Sequence, residues 1–448
     1  MLIIKIVSAA MAFLMSMLPF SGTSEEKKCN PEFNGTFIQS WMSSSWDDER
    51  WQREVDNMKD AGIEYLIIQD VANKASESLG GEWIVYYESE LDCFSEASFG
   101  GDVVEAALRN LDGSGIKVFV GLAMFDDFWL QGAITSQYNE MCQVAAGMTK
   151  EIYDKYYERY SDTFYGWYFT PEINNVLTCQ VNIKGQAQGL NLILESIDKL
   201  NSDMPLLLSP FYAQYLATGP VVTLTNLVRF FEYTNFRDGD IFAVQDAVGA
   251  KWVKEKDLEM TWKMYAEAVK TCDADVKLWA NCENFSLAFA DTMLDGIFTR
   301  PATENTVSVT ETLDRFVWQM DVASKYAENI ITFSYNHYYS PDYVNPGFID
   351  TYIDYLNNGY KLENEAPASP ENFTVKNGED GITLTWDAAE DNIGIAYYRI
   401  EKDGKFLTRL DMVYGWEELS FEDAGKSGEY SIVAVDCAGN ESEKVTAE

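Results

Sequence analysis

Between residues 30 and 360, short apolar runs alternate with amphipathic stretches in a regular order. The first run, Gly35-Thr-Phe-Ile-Gln-Ser-Trp41, is followed by Ser45-Trp-Asp-Asp48, the pattern of a capping box. Trp51, Val55 and Met58 then share one helical face before Gly62 ends the helix. Glu64-Tyr-Leu-Ile-Ile-Gln-Asp70 reads as a second strand, and six more follow at 117–124, 164–169, 205–209, 240–245, 276–281 and 329–335. Helical periodicity covers 139–159, 190–200, 258–272 and 310–326, among other intervals. Strands that are apolar at nearly every position are covered on both faces, as in a parallel sheet flanked by helices. Eight of them favour closure into a (β/α)8 barrel over an open doubly wound sheet. The long segments 72–99 and 286–304 then become loops over the C-terminal mouth, where barrel active sites sit.

The flanks differ in character. Residues 1–24 carry Lys5, an uncharged Met- and Leu-rich run over 6–20, and small residues Ser21-Gly-Thr-Ser24. This is the pattern of a signal peptide, and its apolar stretch is short for a membrane span. It predicts a secreted or cell-surface protein with no integral membrane domain once mature. At the other end, Pro- and Ala-containing residues 361–370 read as a linker, and 371–448 turn to β-patterning. Phe373-Thr-Val, Ile382-Thr-Leu-Thr-Trp386, Ala396-Tyr-Tyr-Arg-Ile-Glu401 and Gly428-Glu-Tyr-Ser-Ile-Val-Ala-Val-Asp436 are its strands, with turns at Asn377-Gly378 and Asp403-Gly404.

Composition narrows the choice of partner. The 448 residues include 72 acidic and 33 basic side chains, a formal net charge of −39, yet 47% are apolar, too many for a disordered acidic chain. That field repels nucleic acid and anionic lipid, whereas an uncharged sugar polymer meets no such barrier. The seven cysteines form no C-x-x-C pair, and His337 is the single histidine, so no site can be built from several imidazoles. G-x-S-x-G, the P-loop and G-x-G-x-x-G are absent after every strand, and no lysine ends a barrel strand. Asp126 and Asp127 could support a cation with Glu172 and Asp246, but strand five ends in Pro210-Phe-Tyr212 and offers no carboxylate. Neither metal nor cofactor is expected.

Carboxylates, amides and aromatics remain. Glu172 ends strand four in Gly166-Trp-Tyr-Phe-Thr-Pro-Glu172, and Glu283 ends strand seven in Leu278-Trp-Ala-Asn-Cys-Glu283. Two carboxyls facing one another across a barrel are the minimal apparatus of glycoside hydrolysis: one protonates the departing oxygen, the other attacks the anomeric carbon or activates water. Each could instead pair with a cation or cap a helix. Gln39, Trp41, Gln69, Tyr168, Tyr212, Gln245, Asp246, Asn281, Tyr335 and His337 stand at or near strand ends as a candidate sugar-binding lining. Amides bond hydroxyls in both directions, and aromatic faces stack on sugars.

The strand-four and strand-seven glutamates resemble the layout of the retaining barrel glycoside hydrolases. More closely, residues 30–360 resemble a bacterial barrel family of unknown function grouped with them, through Gly35–Trp41, Gly166–Glu172, Val244-Gln-Asp246 and Leu278–Glu283. The resemblance implies Glu172 as acid/base and Glu283 as nucleophile on a polysaccharide or oligosaccharide. Pro171 stands where that clan has an Asn before its acid/base Glu. The C-terminal segment resembles a fibronectin type III module, with Trp386 at the core position, Tyr430 in a late strand, and the ending Val435-Asp-Cys-Ala-Gly-Asn440. A glycan-binding barrel without catalysis and a protein-interaction scaffold are the other readings.

Overall fold

The computed structural model describes residues 1–17, 26–134, 136–215, 217–287, 308–378, 381–412, 419–425 and 427–447. The expected cleavage region at 21–24 and most of the loop 286–304 lie outside the described residues. The chain divides into two compact units, Met1–Glu283 with Gln319–Asn336, and Asn284–Trp318 with His337–Glu448.

In the first unit eight parallel strands close into a barrel: β1 (Gly35–Ile38), β2 (Tyr65–Ile68), β3 (Lys117–Gly121), β4 (Phe164–Phe169), β5 (Leu206–Leu208), β6 (Ile241–Gln245), β7 (Lys277–Glu283) and β8 (Asn329–Phe333). β8 returns to β1 through Gly35↔Ile331 and Thr36↔Thr332. A helix follows each strand in turn: α1 (Asp48–Asp60), α2 (Val103–Leu111), α3 (Ser136–Ile152), α4 (Ile183–Leu200), α5 (Pro220–Tyr233), α6 (Leu258–Val269), α7 (Leu313–Ala323) and α8 (Gly347–Asn357). The (β/α)8 expectation holds.

Local departures have local causes. The cap of α1 is Asp47, which accepts the Arg50 N–H at 2.9 Å; the expected cap, Ser45, instead bonds the Met42 carbonyl. A carboxylate two residues closer to the helix satisfies the orphan N–H and also suits the helix dipole. The segment after β2 is more than a loop. Ala72–Lys74, Trp83–Val85 and Ser98–Phe99 join Ala123–Phe125 in a four-stranded sheet, stiffened where Trp83 packs edge-on against Phe94 and Phe125. Leu2–Ser16 is a helix with Ala9 and Phe13 buried, and its Lys5 pairs with Glu232 and Asp273. Among the described residues no helix is long and apolar enough to cross a membrane.

In the second unit β9 (Thr374–Asn377), β10 (Ile382–Thr385) and β13 (Ser420–Asp423) make one antiparallel sheet. A second sheet is ordered β12 (Lys405–Asp411), β11 (Ile395–Lys402), β14 (Tyr430–Asp436), β15 (Val445–Thr446). Trp386, Leu384, Tyr398, Ile400, Tyr430 and Ile432 fill the shared core, so the C-terminal segment is all-β as expected, with two sheets compatible with a small sandwich. The same unit holds α8, whose Phe348 is buried with Ala396 and Cys437. The N–H groups of Leu313 and Asp314, at the start of α7, donate to the carbonyls of Cys437 and Ala438.

Inside the barrel, one side chain from every strand meets in a single apolar layer: Phe37, Ile67, Phe119, Tyr168, Leu207, Ala243, Trp279 and Ile331, with Ile241 beneath. Packing so many large rings requires backbones to close up elsewhere. At Gly121 a Cβ would lie 2.2 Å from the Gln69 carbonyl oxygen and 2.3 Å from that of Ile68. Gly121→Ala is therefore expected to destabilise by about 1–3 kcal/mol. Gly147→Ala within α3, where a Cβ meets nothing nearer than Leu91 at 3.8 Å, should be neutral or stabilising. Thermal unfolding of the two variants side by side measures the difference, and equal melting temperatures would show that β2 and β3 can move apart.

Candidate active site

Side chains alternate along a strand, so the inward positions one step above the apolar layer are Gln39, Gln69, Gly121, Thr170, Ser209, Gln245, Asn281 and Phe333. Asn281 Nδ2 donates to Ser209 Oγ at 3.0 Å although β6 separates their strands, so that bond runs across the interior face. Gln245 Nε2 donates to the Ser209 carbonyl at 2.9 Å, and the Gln245 side chain also bonds the Glu172 carboxyl. Among the described residues, Gln39 Nε2, Gln69 Oε1 and Asn281 Oδ1 are buried with no hydrogen-bond partner. One donor and two acceptors left unpaired around one layer are what a hydroxyl-bearing ligand would satisfy.

Glu172 and Glu283 sit in unlike surroundings. Burial pushes the Glu172 carboxyl up to about 7, against a smaller opposing effect of the Gln245 bond. Among the described residues no Lys or Arg forms an ion pair with Glu172. Glu283 is almost fully buried, and its Oε2 accepts the Ala250 N–H at 2.7 Å, a contact that favours the carboxylate. The turn that supplies this N–H holds Ala247 and Lys251 at φ of 56° and 60°, the left-handed region that residues with a Cβ seldom occupy.

Several expected ligands belong to the scaffold. Tyr168 lies in the apolar layer, edge-on to Phe37 at 5.1 Å. Asp246 is wholly enclosed, its Oδ1 accepting the N–H groups of Val248 and Glu283 and its Oδ2 the Gln319 amide. Tyr335 is buried and donates to Glu54 Oε2 on α1 at 2.5 Å, because the chain leaves β8 at Phe333 and turns into a short helix, Tyr335–Tyr338. Tyr212 is buried with Asp257 and Tyr265 as its electrostatic neighbours. His337 falls in the second unit, where it lines a cavity of about 120 Å³ with Ser308, Tyr338, Phe348 and Met412. Burial holds its imidazole below the usual value. Trp41 is exposed on the short helix Ser40–Ser43 that follows β1.

Three residues escaped the sequence reading. Burial and the neighbouring Asp126 push the Asp70 carboxyl up to about 7, against the opposing Asn73 bond. Asn73 Nδ2 also reaches Asp126 Oδ1 at 3.2 Å. Asp70 directly follows Gln69 at the end of a strand, and that position is its signal. Asn336 grips both backbone polar groups of Gln39, at 3.1 and 3.4 Å. Gln319 was legible as an amide on the apolar stripe of α7, between Phe316 and Ala323.

Comparison with known proteins follows this geometry. The barrel is similar to a structure titled a "putative alpha-L-fucosidase" from Bacteroides thetaiotaomicron, with 17% identity, a TM-score of 0.58, and coverage of 77% of this chain and 98% of that one. A glycoside hydrolase family 5 protein from Bacteroides vulgatus aligns at 12% identity and a TM-score of 0.43, over 93% and 88% of the two chains. Among curated proteins none matches in sequence. Residues 33–345 match a family described as "Domain of unknown function (DUF4434)". Since that span takes in all eight strands of the barrel, the chain belongs to the DUF4434 family.

Proposed function

We propose that the protein is an exported glycoside hydrolase acting on a neutral polysaccharide or oligosaccharide, with Glu172 as acid/base and Glu283 as nucleophile. The observation that carries this reading is the unlike setting of the two strand-end glutamates: burial raises the Glu172 carboxyl to about 7, toward its protonated form, and a backbone N–H donates to the Glu283 carboxylate. Glu172 donates its proton to the glycosidic oxygen as the bond to the anomeric carbon breaks, and the Glu283 carboxylate bonds to that carbon. Glu172, now a carboxylate, takes a proton from water, whose oxygen displaces Glu283 and releases the sugar. Gln39, Gln69 and Asn281 offer their unpaired atoms to sugar hydroxyls, and exposed Trp41 offers a stacking face. The leader expected at 1–24 supports an activity outside the cell. The similar barrel that bears a fucosidase name agrees with the substrate class.

The test is sugar release from a broad panel of neutral glycans by wild type, Glu172→Gln and Glu283→Gln. Wild type is expected to cleave, and Glu172→Gln to lose about 100- to 10,000-fold in kcat on substrates with poor leaving groups. A glycan that raises the melting temperature yet is never cleaved would make the barrel a binding protein and the glutamates its ligands.

A second prediction concerns pH. Glu172 works only while protonated, so kcat/KM should fall above about pH 7. The Gln245 bond favours the carboxylate, so Gln245→Leu should move that alkaline limb upward. Stability follows the same group. Its folded-state value lies above its unfolded one, so the stability it contributes is complete below about pH 4.5 and lost as pH rises through 7. Glu172→Gln, uncharged throughout, should be more stable than wild type at pH 8 by about 1–3 kcal/mol. Asp70 titrates in the same direction and leaves some slope in both proteins. Identical denaturation midpoints at pH 8 would mean that Glu172 ionises like an exposed carboxyl.

A further inference from the structure

Glu283 is held by two wholly buried side chains and by one backbone N–H of a neighbouring turn. Gln319 on α7 is wholly buried, and its Nε2 donates both to Asp246 Oδ2 and to the Glu283 carbonyl oxygen, the latter at 3.1 Å. Asp246 Oδ1 accepts the Glu283 N–H at 3.3 Å and the Val248 N–H at 3.2 Å. The same turn sends the Ala250 N–H to the Glu283 carboxylate. Both peptide groups of Glu283 and its side chain are thus referenced to residues 246–250. The turn keeps its left-handed Ala247 because that residue's carbonyl accepts two N–H groups, from Trp252 at 3.0 Å and Val253 at 2.9 Å.

We propose that Asp246 and Gln319 form a clamp that aims the Glu283 carboxylate, which makes Asp246 a positioning residue and not a sugar ligand. Its significance for catalysis rests on the hydrolase reading; its effect on Glu283 does not. A side chain with no exposed surface cannot touch a hydroxyl, whereas one bonded to the Glu283 N–H and, through Gln319, to its carbonyl fixes the direction in which the residue leaves β7. Misplacing a reacting group by about 1 Å can cost about 100-fold in rate. The other titratable groups on the turn and beside Glu283 in its strand are Lys251 and the Cys282 thiol. Burial, then Asp246, Cys29 and Glu283, hold the thiol far above its usual range, and Lys251 follows Ala250 on the turn.

Two near-isosteric variants of the full chain test the clamp, each checked by its melting curve. Gln319→Met removes the donors and should lower kcat about 10- to 100-fold with KM within about twofold. Asp246→Asn keeps an acceptor for the Glu283 N–H but weakens the bond received from Gln319, so kcat should fall in the same direction with KM little changed. It carries the test alone if Gln319→Met does not fold. A readout independent of activity is carboxyl-carbon NMR, with the Glu283 resonance identified by its loss in Glu283→Gln. Its chemical shift at fixed pH should move in both variants, since each loosens the bonds that fix the Glu283 backbone. An unmoved resonance would overturn the clamp. So would a rise in KM alone in Asp246→Asn, which would return Asp246 to the sugar. A moved resonance in a protein that cleaves no glycan would leave the clamp standing and remove the hydrolase reading.

Discussion

Everything at the mouth depends on the way the barrel is plugged. Eight strands leave an interior that side chains can fill, and here Phe37, Phe119, Tyr168 and Trp279 meet aliphatic residues from the other strands in one apolar layer. The next inward positions must then carry whatever polarity the site has, on a floor that is already dry. That floor explains why the Glu172 carboxyl is raised without help from a second carboxylate: withdrawal from water is the leading cause. The chemistry of the acid is in this sense a property of core packing.

Two carboxyls at this end of the barrel are pushed toward neutrality, by different routes. Glu172 is raised by burial, whereas Asp70 is raised by burial together with the charge of Asp126. Both settings weaken the fold as pH rises, so the protein retains groups that a purely structural selection would replace with amides. Glu283 is managed the other way. Backbone N–H groups and a buried amide hold it in place, and the awkward dihedral angles of Ala247 and Lys251 belong to the turn that supplies one of those groups.

The barrel was legible because eight apolar runs separated by helical periodicity admit few arrangements, and parity placed Gln39, Gln69, Gln245 and Asn281 in one layer once the strands were known. Parity also explains two of the misreadings. Tyr168 points inward as expected but one layer too deep, and Asp246, next to inward Gln245, points into the wall. Tyr335 shows where the rule stops: alternation holds only while the chain is a strand, and β8 has ended two residues earlier. The cap of α1 was misassigned because Ser45 and Asp47 both suit the role, and only geometry chooses between them. Gln319 shows in the sequence as an amide on an apolar stripe, but its role does not, because its partners lie 36 and 73 residues away in the chain.

The bonds from Leu313 and Asp314 to the Cys437–Ala438 carbonyls have a practical meaning for anyone cutting the gene. Residues 361–370 look like a hinge between beads, and a stop codon there looks like a clean excision. The first turn of α7, however, finds its acceptors in the sandwich, and Phe348 of α8 shelters under the same module with Ala396 and Cys437. The visible linker is a seam in the sequence only: the second compact unit draws its residues from both sides of it.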